Sequence, residues 1–299
     1  MSWTEHEKLR PIRERSRLAD FLLETLDAYS RHRTGRNASL LAYMGILTVF
    51  PLLLAATTVL GIVLEDNEDL QDKIIDSALR KIPIVGDALL ANQGQISGSW
   101  WALAVGLAGA IWGSLRAFVA MQTALDDIWE VETGRDNFVF QRLRALIGIG
   151  VIALSQAASV VLAAVVSYAG LPRLGQFLLT FGGLALNMFV VGAMYRYLTS
   201  RDTTWRLIWP GAVFTGVLFT ALQFAGTNIL SRQVANADAV YGAFGGIIAL
   251  AAWISLHGLI ALFGAEINAT FERRRIAEAA AITGATHVDV GAERTPGIA

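Results

Sequence analysis

The sequence predicts an all-α, polytopic membrane protein with six transmembrane helices, cytoplasmic N- and C-termini and amphipathic helices at the membrane interface. The 299 residues are 54% hydrophobic and only 16% charged, whereas a soluble domain carries about 25% charged residues. The apolar residues fall into runs that are long enough to cross a bilayer as helices. Lysine and arginine are divided unevenly among the segments between these runs, and this asymmetry predicts the orientation.

The N-terminal segment, residues 1–37, is predicted to be cytoplasmic and basic. It carries eight Lys or Arg residues and no apolar core, so a cleavable signal peptide is not expected. Residues 16–29 place five apolar side chains on one helical face, namely Leu18, Phe21, Leu22, Leu26 and Tyr29. This pattern predicts an amphipathic helix that lies either in the membrane interface or, as a solvated helix, on the cytoplasmic loops.

The membrane domain is predicted to occupy residues 38–275. Its six apolar runs are residues 38–64, 100–125, 143–168, 174–198, 207–230 and 241–272. Pro51 lies inside the first run and is expected to kink it. Gly109 and Gly113 form a G-x-x-x-G pattern in the second run, which favours close helix packing. The tail, residues 276–299, is predicted to be partly disordered.

The distribution of basic residues predicts the orientation of the spans. With six spans, one face of the membrane receives 18 Lys or Arg residues and the other receives 5. The positive-inside rule therefore places both termini in the cytoplasm. Five tryptophans lie near predicted span ends and are expected to be interfacial anchors, namely Trp100, Trp101, Trp129, Trp205 and Trp209.

Four polar residues inside the predicted spans are candidates for a substrate cavity. At about 1.5 Å of rise per residue, Arg116, His257 and Asn187 fall at a similar depth, and Gln156 lies slightly further out. A charged side chain at such a depth is expected to face the bundle interior and to need partners. The alternative is that these residues form interhelical hydrogen bonds without binding a substrate.

Glu266 and Asn268 lie near the inner end of the sixth run. We expect them to form an ion pair or to lock the end of that helix, with Arg196 or Arg144 as the partner of Glu266 if Arg116 is too far away. Pro51, Gly245 and Gly246 are candidate hinge residues. The acidic cluster after the second run is expected to be a solvated loop rather than a metal site; it comprises Asp126, Asp127, Glu130 and Glu132.

Several functional classes lack support in the sequence. The four histidines show no metal-ligand spacing, and no nucleotide-binding or hydrolase motif occurs. The absence of cysteine excludes thiol catalysis and cysteine-based zinc sites. The basic residues follow the predicted topology, so nucleic-acid binding is not expected. We therefore expect no enzymatic activity, catalytic residue, metal or cofactor.

Three segments together resemble the YihY/BrkB family of bacterial inner-membrane proteins, and within it the YhjD-like branch. They are LAYMGILTVFPLLLA at residues 41–55, AMQTALDDIWEV at residues 120–131 and YGAFGGIIALAAWISLHGLIALFGAEINA at residues 241–269. The resemblance implies a six-helix domain with cytoplasmic termini. It also implies a role in the cell envelope, with suspected movement of a lipid or lipopolysaccharide precursor. The older ribonuclease BN label of this family has no support in a histidine cluster here.

The leading hypothesis is an inner-membrane transporter or a flippase-like protein that handles a lipid or an envelope precursor. The alternative is a non-transporting envelope scaffold or regulatory membrane protein. Membrane lipids are the expected partners, and a homo-oligomer is left open.

Overall fold

The computed structural model describes residues 16–63, 100–131, 142–143, 146–148, 150–151, 154–155, 172–201, 203–241 and 243–292. Within these ranges the chain is helical and contains no strand. The helices are α1 (Arg17–Arg31), α2 (Thr34–Val63), α3 (Trp100–Ile128), α4 (Pro172–Leu198), α5 (Trp205–Tyr241) and α6 (Ala243–Ala292). The predicted all-α class is thus confirmed.

Four of the described helical segments are long and apolar enough to cross a membrane: Trp100–Ile128, Leu179–Leu198, Trp205–Gln223 and Leu250–Ile282. They correspond to the second, fourth, fifth and sixth predicted spans. The first predicted span is helical as α2, and most of the third lies outside the described residues. The count of six and the orientation of the termini stay predictions.

Helix α1 splits its apolar residues between two surfaces. Ser16 caps it, because its side-chain oxygen accepts a hydrogen bond from the backbone N–H of Ala19. Thr25 and Ala28 are buried, whereas a stripe with a spacing of four residues stays exposed, namely Leu18, Leu22 and Leu26. Such a stripe is suited to contact with the membrane interface.

Helices α2 and α3 pack closely because one face of α3 is made of glycine. A Cβ atom added to Gly109 would lie 2.8 Å from Cβ of Pro51, and one added to Gly113 would lie 2.6 Å from Oγ1 of Thr48. The predicted role of the G-x-x-x-G pattern in close packing is confirmed by these contacts. Pro51 lies inside the helix, directly at this contact.

The buried core gathers at one end of the bundle. It combines the last turns of α3 and α4, the first turns of α2 and α5, and the part of α6 around residue 265; its larger members are Leu125, Ile128, Trp129, Tyr195, Leu198, Ile208 and Leu262. Trp129 belongs to this core and packs against Tyr195. The expectation that Trp129 is an interfacial anchor is therefore wrong, because its ring lies beneath neighbouring helices.

Helix α6 is longer than a membrane requires. Its 50 residues correspond to about 75 Å at 1.5 Å per residue, compared with a hydrocarbon core of about 30 Å. The helix continues to Ala292, into the tail of residues 276–299 that the sequence predicts to be partly disordered. The sequence IAEAAA at residues 276–281 consists mostly of strong helix formers, which explains the helical start of this tail.

Candidate functional site

Glu266 is a carboxylic acid without any exposure to solvent (0%) in the middle of α6, where this helix joins the buried core. Its Oε1 accepts a hydrogen bond from Oγ1 of Thr34 at 2.7 Å and lies 3.0 Å from Nδ1 of His32. Its Oε2 lies 3.1 Å from the same nitrogen. A buried carboxylate is costly unless it is paired and hydrogen-bonded, and here His32, the C-cap residue of α1, and Thr34, the first residue of α2, supply the partners.

His32 connects this buried acid to a second carboxylate. The imidazole is only 7% exposed, and its Nε2 lies 3.2 Å from Oε1 of Glu130. Both ring nitrogens therefore face a carboxylate oxygen. A ring that donates to two carboxylates carries a proton on each nitrogen, so this geometry accommodates the imidazolium form. We call His32, Thr34, Glu130 and Glu266, with Arg31 and Arg273 beside them, the His32 cluster.

Two tight turns position the cluster. Arg33 follows His32 with a φ of 53°, and Glu130 also has a φ of 53°. The left-handed region is uncommon for residues other than glycine. At Glu130 the turn ends α3, where the Val131 N–H donates to the carbonyl of Asp126. Such conformations persist only where the surroundings hold them, and they concentrate at functional sites.

The outer end of the cluster is charged and open to solvent. The Glu130 side chain is 55% exposed and lies 3.2 Å from an Arg31 amino group and 4.0 Å from one of Arg273. Partial burial raises the pKa of Glu130, but the hydrogen bond from His32 and the charges of both arginines outweigh it, so the net pKa is lowered. At the inner end, burial and the charge of Glu266 raise the pKa of Tyr29.

A cavity of about 180 Å³ borders Glu130. Its lining includes two arginines and two glutamates from three parts of the chain; the full set is Trp129, Glu130, Arg201, Ala269, Glu272, Arg273 and Ile276. Arg201 pairs with Glu272 at 2.7 Å. The buried indole N–H of Trp129 lacks a hydrogen-bond acceptor within the described part of the chain. The cavity thus combines donors and acceptors beside the exposed end of the cluster.

The sequence-predicted cavity residues are placed separately. Arg116 is exposed on α3, with its guanidinium 5.3 Å from the centre of its neighbour Trp112 on the same helix. Asn187 donates a hydrogen bond to Thr220 at 3.3 Å. His257 lies 4.9 Å from the ring of Phe219, the residue before Thr220. Asn187 and His257 therefore contact adjacent positions of α5, without Arg116.

The remaining predicted site residues are the cavity candidate Gln156 and the hinge candidates, and His257 makes one further contact. Gln156 lies outside the described residues. Gly245 and Gly246 are helical positions near the start of α6, and their function as hinges, like that of Pro51, stays a prediction. His257 has its Nδ1 2.9 Å from the backbone carbonyl of Trp253, an interaction within one helix.

Glu266 and Asn268 both connect α6 to other parts of the chain, and their role as a helix-end lock stays a prediction, since α6 continues to Ala292. The side-chain oxygen of Asn268 accepts a hydrogen bond from the backbone N–H of Gly211 at 2.7 Å. The expected partner Arg196 instead packs on the rings of Tyr197 and Trp205. The partners of Glu266 among the described residues are His32 and Thr34, and the other expected partner, Arg144, lies outside the described residues.

The acidic cluster after the second predicted span is a set of structural contacts where the structure describes it. Asp126 accepts hydrogen bonds from Thr199 and from the backbone and side chain of Ser200, at 2.7 to 3.0 Å. Asp127 accepts one from Asn37 at 3.3 Å. The expected solvated loop is thus corrected, because these acids join α3 to α2 and to the turn after α4. Within the described ranges, no three His, Asp or Glu side chains form a group that could hold a metal.

His32 and Thr34 were missed as site residues because they lie in a segment that is dominated by basic residues. Their sequence separation from Glu266 exceeds 230 residues, and no local pattern links them. The available signal was a histidine in the short polar segment between the amphipathic helix and the first span.

Known proteins resemble the chain over most of its length. The family model described as Virulence factor BrkB matches residues 25–286. The ribonuclease-like protein YfkH of Bacillus subtilis is 24% identical over 275 residues, which cover 85% of this chain and 96% of the relative. The UPF0761 membrane protein of Vibrio campbellii is 28% identical over 268 residues, which cover 85% and 82%. The corresponding protein of Psychromonas ingrahamii is 26% identical over 241 residues, which cover 78% and 80%.

No solved structure matches the chain. The family match spans most of the residues and agrees with the sequence resemblance. The two UPF0761 relatives are membrane proteins by name. Four of the described helical segments are long and apolar enough to cross a bilayer. The chain therefore belongs to the Virulence factor BrkB family and is a multi-pass membrane protein.

Proposed function

We propose that this protein is a transporter or flippase-like protein of the bacterial plasma membrane that moves a lipid or an envelope precursor, without enzymatic activity. The observation that carries the proposal is the His32 cluster, in which a fully buried glutamate at the inner end of the apolar part of α6 is connected through His32 to the exposed Glu130. Ionisable groups within membrane helices are costly and mark substrate pathways and proton relays.

The cluster offers a way to link protonation to helix position. When both nitrogens of His32 carry protons, the ring can donate to Glu266 on α6 and to Glu130 after α3 at once. Loss of one proton removes one of these two donors, so the imidazole then donates to only one of the two carboxylates, while Thr34 still donates to Glu266 and Arg31 still pairs with Glu130. Among the described residues, the other charged or titratable groups near the two carboxylates include Arg31, Arg273, Tyr29, Arg201 and Glu272. A bistable contact of this kind is what a transport cycle requires.

The alternative is a non-transporting envelope scaffold or regulator. The observation that favours it is the close crossing of α5 and α6, where the backbone of Gly264 approaches Gly211, Thr215 and Tyr195 so closely that a single added Cβ would clash. This crossing leaves no space for a substrate between the two helices at that level.

Lipid movement in reconstituted vesicles tests the proposal. The purified protein is placed in liposomes that contain fluorescent phosphatidylethanolamine or phosphatidylglycerol, and loss of fluorescence to an impermeant reductant is followed at different pH values. We expect vesicles with the wild-type protein to expose inner-leaflet lipid faster than empty vesicles. His32→Gln and Glu266→Gln should each slow the rate of this lipid exposure by about tenfold, equivalent to roughly 1.4 kcal/mol.

Asp27→Asn is the matched control, because it removes a carboxylate of α1 that is outside the cluster. Arg116→Gln and His257→Gln report on the cavity predicted from the sequence. A wild-type rate equal to that of empty vesicles for both lipids would favour the scaffold. Loss of activity in Arg116→Gln with full activity in His32→Gln would move the site to the sequence-predicted cavity.

A further inference from the structure

A second concave surface lies between α1 and α6, at the N-terminal part of α1, whereas His32 follows the C-terminal end of that helix. It encloses about 460 Å³ and is lined by Arg17, Leu18, Phe21, Phe271, Arg274, Arg275 and Glu278. We call it the α1–α6 groove. It combines apolar side chains with three arginines, Arg17, Arg274 and Arg275. The last two belong to the arginine triplet at residues 273–275, which ends the apolar part of α6. By sequence, this position is at the boundary between membrane and water.

The three arginines are not equivalent. Arg274 is neutralised by α1, because its Nε lies 2.5 Å from Glu24 and one of its amino groups lies 2.6 Å from Asp20. It also packs over the ring of Phe21, 5.4 Å from the ring centre. These contacts fix α1 against α6 and use the charge of Arg274 within the protein.

Arg17 and Arg275 keep their charge available. Both are exposed, and neither pairs with a carboxylate within the part of the chain that the structure describes. Arg275 contacts the ring of Phe271, with 6.0 Å to the ring centre. The two guanidinium groups thus line the groove, while Asp20 and Glu24, which lie beside it, are already paired with Arg274. Among the described residues that line the groove, Glu278 is the one that carries a negative charge.

The apolar part of the groove continues into an exposed surface. Leu18 is 70% exposed, and it begins the leucine stripe of α1 that continues through Leu22 and Leu26. Phe271 is also exposed. A soluble partner would reach this surface only from outside the bilayer. Lipids, in contrast, are always present at the boundary between membrane and water where the sequence places the groove. Arginine beside an amphipathic helix is the chemistry that binds anionic lipid head groups.

We propose that the α1–α6 groove binds an anionic phospholipid, with its phosphate between Arg17 and Arg275 and its acyl chains along Leu18 and Phe271. The charge complementarity and the continuity of the apolar stripe with the membrane select this ligand. The groove is separate from the His32 cluster, so the proposal holds whether or not the protein transports a substrate. The bound lipid would fasten α1, and with it the turn that carries His32, to the membrane surface.

Thermal unfolding of the purified protein in detergent, with added phosphatidylglycerol or phosphatidylcholine, tests the proposal. We expect phosphatidylglycerol to raise the melting temperature of the wild type and phosphatidylcholine to raise it less. The double variant Arg17→Gln/Arg275→Gln should need about tenfold more phosphatidylglycerol for the same shift, because two charge-assisted contacts are lost. Arg206→Gln, which removes an exposed arginine at the start of α5, should respond like the wild type.

A variant that is expected to bind the lipid more tightly complements the double variant, because misfolding cannot explain an increase in binding. Glu278→Gln removes the opposing charge and should lower the concentration of phosphatidylglycerol required. Equal responses of the wild type and the double variant would overturn the proposal, as would an equal response to the two lipids. Inorganic phosphate is tested in the same way. If phosphate alone raises the melting temperature as much as phosphatidylglycerol does, and with the same dependence on both arginines, the groove is a site for free phosphate and not for a lipid.

Discussion

Glu266 is ionisable and has no contact with solvent. Its carboxylate connects α6 to His32, in the turn before α2, and to Thr34, at the start of α2. We predict that Glu266→Ala costs about 3 kcal/mol or more of stability, because removal of one partner leaves the others buried and uncompensated. Glu266→Gln should cost less, since an amide oxygen can still accept the hydrogen bond from Thr34. Thermal unfolding in detergent measures the difference.

Asp27→Ala serves as the comparison for this pair of variants, since the lost carboxylate belongs to α1 but not to the cluster. If Glu266→Ala unfolds at the temperature of Asp27→Ala, the contacts of Glu266 contribute nothing to stability, and the cluster would have to be understood through function alone.

Glu130 provides a prediction about pH. Its pKa lies below the ordinary value of 4.5 when the protein is folded, so its ion pairs stabilise the folded state above pH 4.5. This contribution is lost as the pH falls from 4.5 through the lowered folded pKa. We predict that wild type is more stable than Glu130→Gln at pH 6 and that the difference shrinks below pH 4.5. Melting temperatures of both proteins across this range are the measurement.

The side chain of Glu130 is more than half exposed, so solvent screens its pairs and the effect is small. Added salt should therefore reduce the difference at pH 6. A difference that stays constant from pH 6 to pH 3 would mean that Glu130→Gln acts through the left-handed turn and not through charge.

At the scale of the helices, the α5–α6 crossing is the contact least able to accept a larger side chain. A Cβ atom at Gly264 would lie 2.6 Å from the hydroxyl of Tyr195 and 2.9 Å from the carbonyl of Gly211. Both neighbours are held, because Tyr195 donates to the carbonyl of Ala261 and Gly211 belongs to the backbone of α5. We predict that Gly264→Ala destabilises the protein by about 3 kcal/mol or prevents folding.

Gly183→Ala is the matched control, because a Cβ atom at this helical position meets nothing within 4 Å. It should leave stability unchanged or raise it by about 1 kcal/mol, owing to the better helix propensity of alanine. The prediction is contradicted if both variants melt within a degree of each other.

The helices themselves could be predicted because each follows from a local property. Apolar runs of sufficient length gave α3 to α6, and the spacing of leucines gave α1. The glycine face of α3 was also local, since Gly109 and Gly113 are four residues apart. The contacts of Glu266 could not be predicted in this way, because they depend on the relative rotation of α6 and α2. That rotation depends on α2–α6 packing at positions such as Gly45, where an added Cβ atom would lie 2.8 Å from Ile254, and a single sequence carries no periodic signal for it.

At the scale of the whole molecule, the polar contacts indicate which helix ends share a side of the membrane. His32 joins the start of α2 to Glu266 and Glu130, while Asp126 joins the end of α3 to the turn after α4. Arg201, in the turn before α5, pairs with Glu272 on α6. The beginnings of α2 and α5, the ends of α3 and α4, and the middle of α6 therefore lie together.

From this arrangement we predict one more crossing between α3 and α4. The chain leaves the common side along α2 and returns along α3, whereas the start of α4 is about 40 Å of helix away from the common side. We therefore predict that the run at 143–168 is the third span. Six crossings, with both termini on one side of the membrane, stay a prediction.

Because the chain contains no cysteine, single cysteines can test this topology directly. We predict that Ser16→Cys and Thr204→Cys react with a membrane-impermeant maleimide only after the cells are opened, since the basic segments belong in the cytoplasm. Gln93→Cys and Gly170→Cys, in the segments predicted to be external, should react in intact cells. Labelling at residue 170 on the same side as residue 204 would remove the third crossing, and labelling at residue 16 in intact cells would invert the orientation.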